Sequence, residues 1–171
     1  MANFIPRTWY ECTEPEITNM YEDVHQQARR LGYYIDKPKL YVYKSTRRFG
    51  ECRTRGDVSV IALNEKFLEC PEKCMETLVH EYAHAINPKD HHGVEWKSIG
   101  DDIGKHYGVS MSRTTPESEV GIKISKPKDI KYIVKCPKCG AQWRYERASK
   151  IVQHPEKYRC GHCKCELIRE R

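Results

Sequence analysis

Thr77-Leu78-Val79-His80-Glu81-Tyr82-Ala83-His84-Ala85 is the stretch on which the reading of this chain turns. A helix advances about 100° per residue, so His84 falls about 40° from His80 and Glu81 about 100° from it, and three polar groups share one arc. The opposite arc carries Met75, Val79, Tyr82, Ala83 and Ile86, which leaves one side to pack and the other for chemistry. Two imidazoles four residues apart lie about 5 to 6 Å apart at Cβ, within reach of one Zn²⁺, and the Glu between them is placed to handle a water bound there. The His-Glu-x-x-His spacing is a known zinc-peptidase signature. Three fixed positions also arise by chance, so the pair alone reads equally as a metal site or as solvated histidines.

The residues after the helix favour metal. Asn87-Pro88 ends it, because proline lacks the ladder donor and turns its predecessor away from helical backbone. A short polar loop then returns with His91-His92-Gly93-Val94-Glu95-Trp96. A catalytic zinc wants three protein ligands and one open position, and His91 or His92 offers the third.

Upstream, Thr13-Glu14-Pro15-Glu16 predicts a capping box. Ile17, Met20, Tyr21, Val24, Ala28 and Leu31 then recur at helical spacing up to Gly32, with His25 read as a surface residue beside the stripe. Trp9-Tyr10 is expected to cover one end of the core. Leu40 to Tyr43, Arg48 to Cys52 and Val58 to Leu63 predict three antiparallel strands, with Arg55-Gly56-Asp57 as a turn. Arg47, Arg48, Arg53 and Arg55 cluster there and serve either to grip phosphates or as edge-strand charges against aggregation. Asn64 to Phe67 predicts a short helical turn, Pro71 an early residue of the central helix, and Cys70 and Cys74 small core-facing thiols. Trp96, Ile99, Ile103 and Tyr107 mark another helix stopped by Gly108. Gly100 to Lys105 is one residue short of a phosphate loop and lacks its Ser/Thr, so no nucleotide cofactor is expected.

The tail carries a second pattern: Cys136-Pro-Lys-Cys139-Gly140, then Cys160-Gly-His-Cys163. Two tight turns each supply two thiolates, completing a closed tetrahedral zinc site, while short strands at Ile130 to Val134, Gln142 to Arg147 and Leu167-Ile168 make a zinc ribbon. Cys165 is a rival to Cys163, and His154 and His162 are weaker ones. So small a region needs metal to fold. Trp143 and Tyr145 alternate with Arg144 and Arg147, as a base-stacking face would, or else cover the ribbon's core.

Charge divides the chain in the same place. Residues 123–171 hold 14 Lys/Arg against 5 Asp/Glu, whereas residues 1–122 hold 16 against 19. A basic tail with no amphipathic basic helix points to nucleic acid rather than membrane. No run of about 18 apolar residues occurs and the first residues lack a signal-peptide core, so a soluble intracellular protein is expected, cytoplasmic or nuclear. Nine Cys, five of them in the tail in paired spacing, fit metal binding in a reducing compartment better than disulfides. The expected organisation is a metalloprotease-like domain over 1–112, a linker over 113–129 rich in turn formers and without sustained period, and the ribbon over 130–171.

Strands before the helix, His80-Glu81-x-x-His84-Ala85 on it, His92-Gly93-x-Glu95-Trp96 after the loop, and Phe49-Gly50-Glu51-Cys52 followed by Val60 to Asn64 together resemble the SprT-like metalloproteases, including the Spartan group, from about Trp9 to Tyr107. The resemblance implies an α+β, zincin-like domain followed by a zinc ribbon. It implies a catalytic zinc on His80, His84 and His92 with Glu81 as catalytic base, beside a structural zinc on Cys136, Cys139, Cys160 and Cys163. It further implies DNA-dependent cleavage of proteins bound or crosslinked to DNA, and on the charge and aromatic pattern single-stranded or distorted DNA is expected on the ribbon and the arginine cluster. The competing reading is a non-catalytic nucleic-acid-binding scaffold.

Overall fold

A computed structural model describes residues 4–125 and 128–171, so Met1 to Asn3, and Lys126 and Pro127 of the expected linker, lie outside the described residues. The chain divides into one unit ending at Ser125 and a second beginning at Lys126.

The first unit is built on a four-stranded sheet of β1 (Tyr10–Glu11), β2 (Lys39–Tyr43), β3 (Gly50–Arg55) and β4 (Val58–Asn64), in the order β1-β2-β4-β3. β1 and β2 are antiparallel, as are β3 and β4, but β2 and β4 run parallel. That corrects the expectation of three antiparallel strands. The loop after β2 carries the chain past its neighbour's place, β3 forms at the outer edge, and the turn at Gly56 (φ +60°) brings β4 back between them. Asn64 pins this loop from within. It is 1% exposed, its Nδ2 donates to the carbonyls of Ser45 (3.0 Å) and Arg48 (2.8 Å), and its Oδ1 accepts from the Lys66 amide. The buried amide is thereby satisfied, and the 3₁₀ turn Glu65–Leu68 starts where expected.

Helix α1 (Pro15–Arg30) buries Ile17, Tyr21, Val24 and Ala28. The expected capping box does not form: Glu14 is the N-cap without a side-chain bond, and Pro15 opens the helix at a position that needs no donor. Leu31 falls beyond the helix and is exposed, because Gly32 (φ +92°) turns the chain away. His25 is not a free surface residue, since its Nδ1 meets the Tyr82 hydroxyl at 2.5 Å. Helix α2 (Met75–Ile86) follows a 3₁₀ turn begun by Pro71. It buries Leu78, Val79, Tyr82 and Ala83 in one cluster with Ile17, Ile61, Leu63, Phe67 and Cys74. Helix α3 (Val94–Gly104) adds Trp96 and Ile103 to that cluster, and the chain turns at Gly108 in left-handed backbone. The other face of the sheet is covered by Trp9 with Tyr43, Val60 and Ala62.

Residues 109–125 do not behave as a linker. Met111, Ile122 and Ile124 are buried in the main cluster, the Met111 amide donates to Asp101 at 2.7 Å, and Thr115 Oγ1 donates to Glu76 of α2 at 2.6 Å. Around the short helix α4 (Glu117–Val120), the Glu117 carboxylate accepts from the Ile124 and Ser125 amides. This strap has no period because it follows the surface of the domain rather than forming a long element of its own.

The second unit is a three-stranded antiparallel sheet, β6 (Gln142–Tyr145), β5 (Tyr132–Lys135) and β7 (Ile168–Arg169), with the short helix α5 (Lys150–Gln153). Its core is Val134, Cys136, Val152, Cys160 and Leu167. Among the described residues no helix is long and apolar enough to cross a membrane.

Candidate metal centre

α2 presents His80 and His84 on its outer arc, as the four-residue spacing requires, while its opposite arc is held in the core. His92 arrives from the loop. Its backbone is left-handed (φ +60°), an uncommon state for a residue with a side chain, and the surroundings enforce it. Asp90 Oδ2 accepts the Trp96 amide at 2.9 Å and so caps α3. A Cβ on Gly93 would lie 1.7 Å from Asp90 Oδ1, so only glycine fits between the third histidine and that cap.

The three Nε2 atoms converge: His92 stands 3.0 Å from His84 and 3.1 Å from His80. Nitrogens ligating one tetrahedral zinc at about 2.0 to 2.1 Å would lie about 3.3 Å apart, so the cluster fits that ion with little rearrangement. Of the two loop histidines, His92 joins the cluster and His91 does not. Burial, with the His92 ring beside it, holds His80 down to about 4 despite a hydrogen bond to the Ser112 backbone. Burial and the other imidazoles hold His84 down to about 3. His92 is lowered too, by burial and then by Arg113. All three are therefore neutral near pH 7, the form that binds metal.

Trp96, 1% exposed, lies against all three rings, with centroids 4.7 Å from His80, 5.1 Å from His84 and 4.7 Å from His92. Its indole N–H has no acceptor among the described residues. The sequence marks Trp96 as a buried helix position, but nothing in its spacing says that it floors the site.

Glu81 is 7% exposed. Burial, then the neighbouring Glu51 carboxylate, pushes it up to about 8, against a hydrogen bond from the Cys52 backbone and the charge of Arg48. A cation among the three imidazoles would oppose that rise. Glu81 and the histidines open into a cleft of about 860 Å³, walled by Arg47 to Cys52 and Thr54 on one side and by Arg113 to Thr115 of the strap on the other. Asn64 donates its amide to Phe49 O at 2.7 Å, and Glu51, Arg53 and Arg55 continue that register along β4. Hydrogen-bonded residues alternate in an antiparallel pair, so Gly50, Cys52 and Thr54 turn their backbone groups away from β4, where the Gly50 carbonyl accepts from the Tyr43 hydroxyl at 3.2 Å.

The arginines separate. Arg47 and Arg48 line the cleft. Arg53 does not: its guanidinium lies 4.7 Å from the Trp9 ring centre and donates to Glu51 at 2.8 Å. Arg55 ends β3 at the hairpin.

In the tail, Cys136, Cys139, Cys160 and Cys163 converge, without Cys165, His154 or His162. Cys136 Sγ is 3.4 Å from Cys163 and Cys139 Sγ 3.5 Å from Cys160. These gaps are too long for disulfides and close to the roughly 3.8 Å between thiolates on one zinc. Burial opposes ionisation of Cys136, but the Cys139 and Lys138 amides and the Cys163 thiol outweigh it and hold the group at about 6. Trp143 and Tyr145 share a face with Val134 and pack on the ribbon's core, whereas Arg144 lies opposite Ile133 on the other face.

Residues 15–119 match the model of the SprT-like family. No curated protein and no solved structure matches the chain. The family supports a metalloprotease-type function in general, and the His and Cys groups support zinc binding. The matched span takes in more than half of the chain, including the three histidines, Glu81 and the cleft walls, and by it the chain belongs to the SprT-like family.

Proposed function

We propose that the protein is a zinc-dependent endopeptidase that cuts proteins bound or crosslinked to DNA, with one zinc at the histidines and another in the ribbon. The observation that carries the peptidase reading is the convergence of three imidazole nitrogens beside a buried carboxylate in an open cleft. Zinc held by His80, His84 and His92 would polarise the scissile carbonyl and acidify the attacking water. Glu81 takes the proton of that water and returns it to the leaving amine. The outward backbone of β3 beyond Gly50, whose carbonyl already accepts from the Tyr43 hydroxyl, pairs with an extended segment of substrate, which favours unfolded or loosened chains.

The nucleic-acid part rests on charge. Residues 123–171 carry nearly three Lys/Arg for each Asp/Glu, and this basic tail is the region we assign to single-stranded or distorted DNA. Arg144 is exposed on the strand face away from the ribbon core, Trp143 and Tyr145 are half-buried against that core, and Arg47 and Arg48 line the cleft. Selection of substrate is then by proximity on the DNA rather than by peptide sequence.

The test is incubation of zinc-loaded protein with a DNA-binding protein, with and without single-stranded DNA, beside Glu81→Gln. We expect cleavage that DNA stimulates and Glu81→Gln abolishes while keeping its zinc. Tight, salt-sensitive DNA binding with no cleavage would mark a scaffold instead. Cleavage retained by Glu81→Gln would remove Glu81 from the chemistry.

A further inference from the structure

Gly50 opens β3, the edge strand that faces α2 across the cleft. Its φ is not in the left-handed region that favours glycine elsewhere in the chain, so backbone conformation does not account for it. Space does. A Cβ at this position would lie 2.7 Å from Glu81 Cγ, 2.7 Å from Glu81 Oε1 and 2.7 Å from Thr77 Cγ2. Carbon and oxygen atoms in ordinary contact are about 3.5 Å or more apart. The strand therefore approaches the helix until bare backbone touches the carboxyl.

We infer that Gly50 is a positioning residue for Glu81: the missing side chain lets the edge strand clamp the carboxyl between its own backbone and the Thr77 methyl, in the wall of the cleft. The residues beyond Gly50 on the same strand are the ones that offer outward backbone to the cleft. A methyl group at position 50 drives the carboxyl out of this slot, and the atoms it meets first belong to no histidine. The consequence for turnover rests on the peptidase reading; the consequence for packing does not.

Two measurements separate them. In Gly50→Ala we expect zinc at the histidine site to match wild type and KM to change by less than about threefold. We expect kcat to fall about 100-fold, the scale of a catalytic group displaced by roughly 1 Å. Thermal unfolding supplies the second arm as a double-mutant cycle. Gly50→Ala should lower Tm in the wild-type background and lower it much less in Glu81→Ala, with the Thr77 methyl accounting for the remainder. If Gly50→Ala does not fold alone, recovery of the fold in Gly50→Ala/Glu81→Ala carries the same meaning. Equal loss of Tm in both backgrounds, failure of the double variant to recover, or loss of zinc in proportion to activity would overturn the inference. Coupling in Tm from a protein that cleaves nothing would leave the clamp standing and remove the peptidase reading.

Discussion

Trp96 touches all three histidines yet ligates nothing, and its consequence is for affinity. Groups that hold metal ligands in place are worth about 10- to 100-fold in binding. Trp96→Leu is expected to weaken zinc at the histidine site by that factor, with the ribbon zinc unchanged, in competition with a chromogenic chelator. Trp96→Phe, which keeps a ring under the imidazoles, should recover most of the loss. The same histidines set an acid limit. Their folded pKa values are held at about 4 and 3 for His80 and His84, below the unfolded value of about 6.5. The unfolded chain therefore takes up protons that the folded chain refuses, and stability of the metal-free protein falls as pH drops from about 6.5 toward 4. Glu81 has the opposite sign, being raised to about 8. The folded chain keeps a proton there that the unfolded chain loses, so its contribution to stability is lost as pH rises from about 4.3 to 8. Two histidines outweigh one carboxyl on the acid side, so urea unfolding of chelator-treated protein should give greatest stability at about pH 6.5. Glu81→Gln should flatten the alkaline limb and steepen the acid one.

Among the elements, the loop between α2 and α3 is the one on which the third ligand depends. Asp90 caps α3 through the Trp96 amide and fills the space that a side chain at Gly93 would need. Asp90→Ala removes that cap at a cost of about 1 kcal/mol and frees the left-handed backbone at His92 to relax. We expect a modest fall in Tm and a larger fall in zinc affinity, which titration of metal-free protein would measure; affinity equal to wild type would show that the cap does not hold the ligand. Helix α2 was legible in the sequence because its two faces repeat within twelve residues. The sheet was less so. Strand positions follow from composition and alternation, but the parallel pairing of β2 with β4 depends on where a loop of six residues leads, and alternation has no direction.

Across the whole molecule the two units differ in what holds them. The first has a core of more than twenty buried residues spread over helices, sheet and strap. Among the described residues the second has five, two of them cysteines of the candidate metal group. Stripping metal with a strong chelator is expected to unfold residues 128–171 while the first unit keeps its amide protection, read by hydrogen exchange or by protease cuts confined to the tail. Simultaneous loss of both would show that the three-histidine site, too, is needed for folding. DNA affinity of the full chain should fall steeply with salt, and deletion of residues 130–171 should remove most of that slope.

Local chemistry was enough to mark the helical histidine pair and each cysteine pair as candidate ligands, while the choice of His92 over His91 and the meeting of the two cysteine pairs needed the folded chain. His80 and His84 are one helical turn apart, and each cysteine pair spans one tight turn, so backbone geometry brings the ligands together before any distant contact forms. Other features needed distant parts of the chain to meet. Residue 50 must meet residue 81 before Gly50 has a reason to be glycine. Residues 111 to 124 must reach the core before an aperiodic stretch becomes a strap. Trp143 must find the buried cluster of its unit before it is known to face inward. Spacing along a chain specifies what one turn of backbone can reach; which surfaces then close on one another is decided by burial, and burial exists only after the chain has folded.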